Sequence, residues 1–280
     1  MGNNINGPSV IRVPPWLSRP LGKYYMYFAH HGGKFIRLAY ADSLAGPWKV
    51  YEPGTLKLEQ ATAFTGHIAS PDVHVDHEKK RIRMYFHGPA PSRKGQWTGV
   101  AVSEDGLNFK ASDEILGRFY FRVFQKGAYY YALDGGGHGR LLRSTDPLKN
   151  FEEGKYLFEP DTIRHTALLE KDGYLLVFHS RYGHAPERIL VSTVRLTPDW
   201  SEWTASDPLE VIRPEKEYEG TGYPLKPSVS GAAIEVCELR DPCIFEEDGR
   251  IYLFYSTAGE MGIALAELKI TMYETGEPGR

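Results

Sequence analysis

Histidine, arginine and carboxylate side chains recur at two equivalent places in five repeated units of this 280-residue chain. Six of the ten histidines fall at these places. Carboxylates and imidazoles that share one site suit proton transfer, because their pKa values can be pushed apart. Arginine forks at the same places suit bidentate recognition of an anionic or hydroxyl-rich ring. One group lies at the first strand-like segment of each unit: Asn6, His67, Asp72, Arg122, Arg164, His165, Glu238, Arg240 and Asp241. The other follows the second segment: His30, His31, His87, Asp134, His179 and Arg181.

The segments that position these side chains are short, aromatic-rich and separated by turn sequences. Aromatic residues make up 13% of the chain, and 29 glycines and 19 prolines supply turn residues. The second segments of the five units are residues 24–28, 82–86, 129–131, 175–178 and 251–255, each with an extended run before and after it. A four-stranded unit repeated every ~40–50 residues is typical of a β-propeller. The sequence therefore predicts an all-β chain, a five-bladed β-propeller, with residues 1–280 as one domain.

The propeller architecture predicts that the two groups of side chains meet. The innermost strand of each blade lines the central channel. The start of that strand and the end of the next antiparallel strand lie on the same face of the molecule. We therefore expect a concave site at one end of the channel, where carboxylates, imidazoles and guanidinium groups converge.

Composition excludes several other classes of protein. A net charge of -3, from 33 basic and 36 acidic residues, argues against a nucleic-acid partner. No apolar run approaches the roughly 20 residues that span a bilayer, which argues against a membrane partner. The first residues lack the basic and apolar regions of a signal peptide, and the two cysteines, Cys237 and Cys243, are expected to be reduced. These features predict a cytoplasmic protein, either a monomer or a small homo-oligomer.

The last unit carries the clearest resemblance to a known family. The sequence RDPCIF at residues 240–245, followed by DG at 248–249 and IYLFYS at 251–256, resembles the blade pattern of five-bladed propeller glycosidases. SPDV at residues 70–73 is similar to a second such motif. This superfamily includes arabinanases, β-xylosidases (glycoside hydrolase family 43) and invertases. The resemblance implies a hydrolase that cleaves a glycosidic bond in an oligosaccharide, including one with an acidic or anhydro sugar, as in polysaccharide degradation.

The chain departs from the family pattern at two of its usual catalytic carboxylates. The catalytic base of the first blade falls on Asn6-Gly7-Pro8, and the general acid falls on Arg164-His165. Asp72 matches the third carboxylate, which orients the sugar and tunes the acid.

We therefore predict replacements from the same face. His165 or Glu238 is expected to donate the proton, and Asp241 or Asp134 to activate water or stabilise positive charge. The catalytic set is thus Asp72, His165, Glu238 and Asp241. The substrate-binding set is Asn6, His30, His31, His67, His87, Arg122, Asp134, Arg164, His179, Arg181, Glu187 and Arg240.

Two other functions stay open at this point. An oligosaccharide lyase needs a neutralised uronate and a histidine or tyrosine base, and a carbohydrate-binding propeller needs no catalysis. We expect no required cofactor. A channel cation such as calcium, which related propellers carry, and a histidine-bound divalent metal are alternatives. His30, His87 and His179 recur at equivalent places in three blades, where they would either ring a substrate or hold a metal.

Overall fold

A computed structural model describes residues 4–135, 137–160 and 162–271. Five antiparallel sheets follow one another along the chain and form the five blades of a propeller. The first blade comprises β1 (Asn6–Arg12), β2 (Tyr24–Ala29), β3 (Phe35–Ala41) and β4 (Lys49–Lys57). The second comprises β5 (Ala69–Asp76), β6 (Arg81–Pro89), β7 (Gln96–Ser103), β8 (Lys110–Ala111) and β9 (Gly117–Arg118), which also pairs with β7.

The remaining blades follow the same order. The third comprises β10 (Arg122–Lys126), β11 (Tyr129–Leu133), β12 (Arg140–Ser144) and β13 (Glu152–Tyr156). The fourth comprises β14 (Ile163–Lys171), β15 (Tyr174–Arg181), β16 (Ile189–Arg195) and β17 (Leu209–Ile212). The fifth has three strands in the described part of the chain, β18 (Ile234–Glu247), β19 (Arg250–Gly259) and β20 (Gly262–Leu268). The predicted all-β class and five-bladed propeller are confirmed.

Helical structure among the described residues consists of three single 3-10 turns, Leu58–Gln60, Trp200–Glu202 and Glu217–Glu219. No helix in the described ranges has the length and apolar character required to cross a membrane.

The hydrophobic core is divided among the joints between neighbouring blades. Tyr27 and Phe86 belong to a cluster that joins the first and second blades. Four further clusters occupy the joints between the second and third, third and fourth, fourth and fifth, and fifth and first blades. Aromatic residues of the second strands fill these joints because both faces of each sheet are covered by a neighbour. The ring is thus closed by apolar packing, and the inner strands surround a central channel.

An irregularity recurs at the start of each inner strand. Gly7, Ser70, Tyr120, His165 and Asp241 have positive φ values of 57°, 48°, 58°, 48° and 50°. In four blades the pairing between first and second strands shifts register there, as in a β-bulge. We call these five positions the bulge ring. Left-handed backbone is costly for a residue with a side chain, and such strain is often found at functional sites.

Candidate active site

A cavity of about 340 Å³ opens at the end of the channel where the bulge ring lies. Residues from all five blades contribute to its wall. We call it the upper cavity. It is lined by Asn6, His31, Gly32, His67, Ala69, Ser70, His87, Gln96, Phe119, Tyr120, Gly135, Arg164, His165, Tyr182, Ser230, Gly231, Asp241 and Glu260.

Asp241 is the carboxylate of the bulge ring. It belongs to the fifth blade and is 2% exposed. The hydroxyl of Tyr120 donates a hydrogen bond to its Oδ1 at 3.0 Å, and the hydroxyl of Ser256 donates to its Oδ2 at 3.3 Å. Burial, followed by the nearby charge of Asp241, raises the pKa of Tyr120 well above 10, so its hydroxyl keeps its proton. Tyr120 therefore acts as a fixed hydrogen-bond donor to Asp241 across the cavity.

Glu260 is the second carboxyl group of the upper cavity. It lies in the hairpin between β19 and β20 and is also 2% exposed. Asn6 donates a hydrogen bond from Nδ2 to its Oε2 at 2.8 Å, and Arg240 approaches its Oε1 at 3.2 Å. Burial, followed by the charge of Asp241, raises its pKa from 4.5 to about 7. At neutral pH this carboxyl group is therefore partly protonated and able to donate a proton.

His165 lies between two carboxylates. Its Nε2 is 3.5 Å from Oδ1 of Asp241, and its Nδ1 is 3.7 Å from Oε1 of Glu187. Its ring packs on that of Tyr120 with centroids 5.1 Å apart. Burial lowers the pKa of this imidazole, and the charge of Asp241 partly offsets the effect. His165 is therefore mainly neutral at neutral pH, and the same Nε2 also lies 3.3 Å from Nη2 of Arg164.

The other cavity histidines are wall groups. His87 is buried, and its Nδ1 accepts a hydrogen bond from the backbone N–H of Tyr120 at 3.2 Å. Burial lowers the pKa of His87 well below 6.5, so its remaining proton lies on Nε2. Nε2 of His67 is 3.0 Å from the side-chain oxygen of Gln96. The neutral imidazole of His87 and the side-chain amide of Gln96 suit the hydroxyl groups of an uncharged ligand.

Beneath the wall lies a layer of buried charges. Arg240 is fully buried and forms ion pairs with Glu187 at 3.0 Å and with Glu238 at 2.6 Å. Arg164 lines the cavity, and its guanidinium donates to the hydroxyl of Ser228 at 2.9 Å and lies 3.4 Å from Glu187. Although burial acts to raise it, the pKa of Glu187 is lowered to about 2, first by Arg164 and then by His165 and Arg240. The charged groups of this layer therefore pair with one another.

The structure therefore brings together part of the predicted set. Asn6, His31, His67, His87, Arg164, His165 and Asp241 line the upper cavity. Glu187, Glu238 and Arg240 lie in the buried layer beside it.

Asp72 lies elsewhere, in a lower cavity of about 320 Å³ at the opposite end of the channel. There it accepts hydrogen bonds from Nε2 of His74 and from the backbone N–H of Val123, both at 2.9 Å. The physical reason is the bulge, which gives Ser70 the place in the ring and carries Asp72 two residues farther along β5.

Arg122 also lines the lower cavity and lies at mid-channel. It stacks 4.0 Å below the ring of Tyr120 and donates to the backbone carbonyls of Thr166 and Ser70. Nε and Nη1 of its fork are therefore engaged by the protein, in contrast to the substrate-binding role expected from sequence.

Four further predicted residues lie outside the lining of the upper cavity. His179 is buried against Phe158, and burial lowers its pKa to about 4. Asp134 is buried and accepts a hydrogen bond from the backbone N–H of Arg140. His30 and Arg181 are half-buried at the ends of the second strands.

The expected histidine ring of His30, His87 and His179 is therefore not formed, because of these three side chains only His87 lines the upper cavity and His179 is buried against Phe158. Among the described residues, no group of three or more His, Cys, Asp and Glu side chains is arranged to hold a metal ion.

Glu260 and Tyr120 are the functional candidates that sequence reasoning missed. Glu260 follows the second strand of the fifth blade, which is the same place as His31 in the first blade. Considering the residues that follow the second strand in all five blades would have found Glu260. Tyr120 comes directly before an apolar run, where an aromatic residue is usually part of the core, and only the bulge reveals its role.

Comparisons with known proteins give a sequence relative and a fold. No family model matches the sequence. The chain is 40% identical over 299 aligned positions to uncharacterized protein R118 of Acanthamoeba polyphaga mimivirus, with 95% of this chain and 83% of that protein covered.

Solved structures of family 43 glycoside hydrolases share the fold. The GH43_1 enzyme from Xanthomonas citri has a TM-score of 0.67 at 13% identity, covering 98% of this chain and 92% of that one. CoXyl43, a β-xylosidase/α-arabinofuranosidase from a compost microbial metagenome, has a TM-score of 0.64 at 15% identity over 96% and 92%. An exo-1,5-α-L-arabinanase from a bovine ruminal metagenomic library has a TM-score of 0.62 at 11% identity over 96% and 94%. The resemblance of the blade pattern to these propellers is thus confirmed for the fold.

Proposed function

This chain belongs to the same family as uncharacterized protein R118 of Acanthamoeba polyphaga mimivirus, and we propose that it is a glycoside hydrolase whose reaction takes place in the upper cavity. The observation that carries the proposal is the pair of carboxyl groups there, Asp241 and Glu260, which differ in environment. Glycoside hydrolysis requires one carboxylic acid and one carboxylate on either side of the bond. The shared fold of family 43 enzymes supports the same reaction class by analogy.

In this proposal Glu260 is the proton donor. A carboxyl group with a pKa of about 7 is protonated in a large fraction of molecules at neutral pH. It can therefore transfer its proton to the leaving-group oxygen as the glycosidic bond breaks.

Asp241 is the carboxylate that faces the anomeric carbon, where it activates water or stabilises positive charge. The hydroxyls of Tyr120 and Ser256 fix its two oxygens. The ring of His165 lies beside it, with Nε2 3.5 Å from Oδ1. A carboxylate held in this way keeps its geometry as charge develops on the sugar.

The cavity favours the end of a short, uncharged glycan. Its volume of about 340 Å³ is at the small end of the ~300–1,000 Å³ range of ligand pockets, which suits one or two sugar rings. Asn6, Gln96 and His67 offer polar contacts to hydroxyl groups, and the rings of Phe119 and Tyr182 offer apolar faces. We propose a neutral sugar rather than an acidic one, because the three buried arginines are already engaged by protein groups.

The experiment is a screen of the purified protein against aryl glycosides of neutral sugars, neutral oligosaccharides and uronate-containing oligosaccharides. We expect new reducing ends from a neutral substrate and no ultraviolet-absorbing unsaturated product. Asp241→Asn should abolish the cleavage, and the exposed control Glu104→Gln should retain it. An unsaturated product would instead identify a lyase. Tight glycan binding without cleavage would identify a binding propeller.

The cellular location, oligomeric state and cofactor requirement of the protein stay predictions. We propose a cytoplasmic enzyme that requires no cofactor, and the two free cysteines, Cys237 and Cys243, support a reducing environment. A sedimentation experiment would separate a monomer from a small homo-oligomer.

A further inference from the structure

A single buried guanidinium is shared by three glutamates. Arg240 is fully buried, and its Nη1 lies 3.2 Å from Glu260 at the cavity. On its other side, Nε and Nη2 contact Oε2 of Glu238 at 2.9 and 2.6 Å. Nε is also 3.0 Å from Oε2 of Glu187. One positive charge is therefore divided between a cavity carboxyl group and two carboxylates behind the wall.

We propose that Glu238 and Glu187 are positioning residues that act on Glu260 through Arg240 and so set the pH range in which Glu260 donates its proton. This proposal rests on the proposed role of Glu260, and it gives the buried glutamates beneath the upper cavity a function. Both glutamates are buried, at 2% and 0% exposure, and lie outside the cavity lining. Neither is therefore placed to touch a substrate.

The physical argument is competition for charge. A carboxylate gains most from a nearby cation when no other anion neutralises that cation. Glu238 and Glu187 take up most of the hydrogen-bonding edge of Arg240, which leaves Nη1 for Glu260 and for the carbonyl of Gly231 at 3.0 Å. The cation therefore stabilises the ionised form of Glu260 less than an uncommitted guanidinium would.

The other groups that face Glu260 come from four elements. Asn6 of β1 donates to Oε2 at 2.8 Å, and Nδ1 of His31, after β2, lies 3.8 Å from the same oxygen. Asp241 of β18 raises the pKa of Glu260 by its charge, and Arg164 of β14 lowers it. All of these groups remain when Glu238 or Glu187 is neutralised. Glu187 also lies 3.4 Å from Arg164, so Glu238→Gln isolates the contact with Arg240 more cleanly.

The test is a carboxyl-carbon NMR titration of the full chain labelled at glutamate. The resonance of Glu260 is identified by its loss in Glu260→Gln. In Glu238→Gln and in Glu187→Gln we expect the midpoint of Glu260 to fall by about one pH unit, because Arg240 becomes less neutralised. Glu238→Asp, which keeps the charge, and the exposed control Glu104→Gln should leave the midpoint in place. The alkaline limb of the pH–rate profile should shift with the titration.

The outcomes separate this inference from the proposed function. An unchanged midpoint in both folded glutamine variants overturns the inference, even if Glu260→Gln abolishes cleavage. A shifted midpoint together with full cleavage by Glu260→Gln supports the coupling but overturns the role of Glu260 as donor. If Glu238→Gln does not fold, Glu187→Gln decides the question, because Glu238 still occupies Arg240 in that variant.

Discussion

At the scale of single residues, environment gives two carboxyl groups of one cavity different properties. Asp241 accepts hydrogen bonds from two hydroxyl groups, whereas Glu260 is buried beside the charge of Asp241. The same chemical group can therefore supply a proton at one position and a negative charge at another. We propose that this pair acts in place of the two carboxylates of the family pattern that the sequence lacks at Asn6-Gly7-Pro8 and Arg164-His165.

The hydrogen bond from Tyr120 to Asp241 is predicted to contribute to catalysis. Tyr120→Phe removes a donor to a charged acceptor, worth about 1.5–3 kcal/mol, and should lower kcat by about 10–100-fold. Steady-state kinetics on the substrate found in the screen measures the effect. Tyr85→Phe is the matched control, because its buried hydroxyl donates to the carbonyl of Pro147 away from the cavity. Equal kinetics for the two variants would contradict the assignment.

The raised pKa of Glu260 predicts a pH-dependent cost in stability. Between its ordinary pKa of 4.5 and its native pKa of about 7, the folded state holds more protons than the unfolded state. The contribution of Glu260 to the free energy of unfolding is therefore fully present below pH 4.5 and is lost as the pH rises to 7. Urea unfolding should show Glu260→Gln gaining stability relative to the unmodified protein between pH 4.5 and pH 8. A difference that does not change with pH would refute this view.

At the scale of strands, the sequence predicts the blades well and the inner-strand bulges poorly. Turn residues alternate with aromatic runs, such as residues 251–255, and these runs mark the second strands. Strands that are covered on both faces by neighbouring blades favour aromatic residues. A bulge leaves no comparable pattern in the sequence. It nevertheless decides that Ser70 rather than Asp72 reaches the upper cavity, and that His165 lies beside Asp241.

The candidate site was predictable only where a side chain follows directly from strand order. His31, His87 and Asp241 were found by that rule and line the cavity. Arg122 and Arg240 were also placed near the channel, but most of their partners, such as Thr166 for Arg122 and Glu187 for Arg240, lie far from them in sequence. Only the fold reveals that carbonyl groups and glutamates occupy them.

The bulge ring predicts that a side chain at Gly7 would be crowded by its neighbour. It has a φ of 57°, and a Cβ there would lie 3.1 Å from Cα of Ser70. Gly173 is the control, with a φ of 79° and open space around its Cβ position. Both alanine variants bear the cost of a left-handed backbone, but Gly7→Ala should lose about 1 kcal/mol or more beyond Gly173→Ala through crowding. Denaturant unfolding of both proteins measures this difference, and equal losses would argue against a tight ring.

At the scale of the whole molecule, the ring is closed by packing between the last and first blades. Phe254 of β19 and Val10 and Met26 of the first blade belong to one buried cluster. The backbone N–H of Ile5 also donates to the carbonyl of Glu260 at 2.7 Å. The contact that closes the propeller therefore also anchors the hairpin that carries the proposed proton donor.

Closure by packing predicts that removing the buried Phe254 side chain lowers the free energy of unfolding far more than removing the surface ion pair of Arg12 does. Phe254→Ala should lower the free energy of unfolding by about 3–5 kcal/mol, because the side chain is 1% exposed. Arg12→Ala breaks a 2.7 Å ion pair with Glu247 but should cost less than about 1 kcal/mol, because the arginine is largely in solvent. Calorimetric or denaturant unfolding compares them, and the reverse order would contradict closure by packing.

The most direct test of the central claim is the dependence of Glu260→Gln on the leaving group of the substrate. Two aryl glycosides of the sugar found in the screen are compared, one with an acidic phenol that leaves without protonation and one with a weakly acidic phenol. We predict that Glu260→Gln loses about 10²–10⁴-fold in kcat on the second substrate and little on the first, because only the second needs a proton donor. Equal losses on both substrates, or no loss on either, would contradict the assignment of Glu260 as the proton donor.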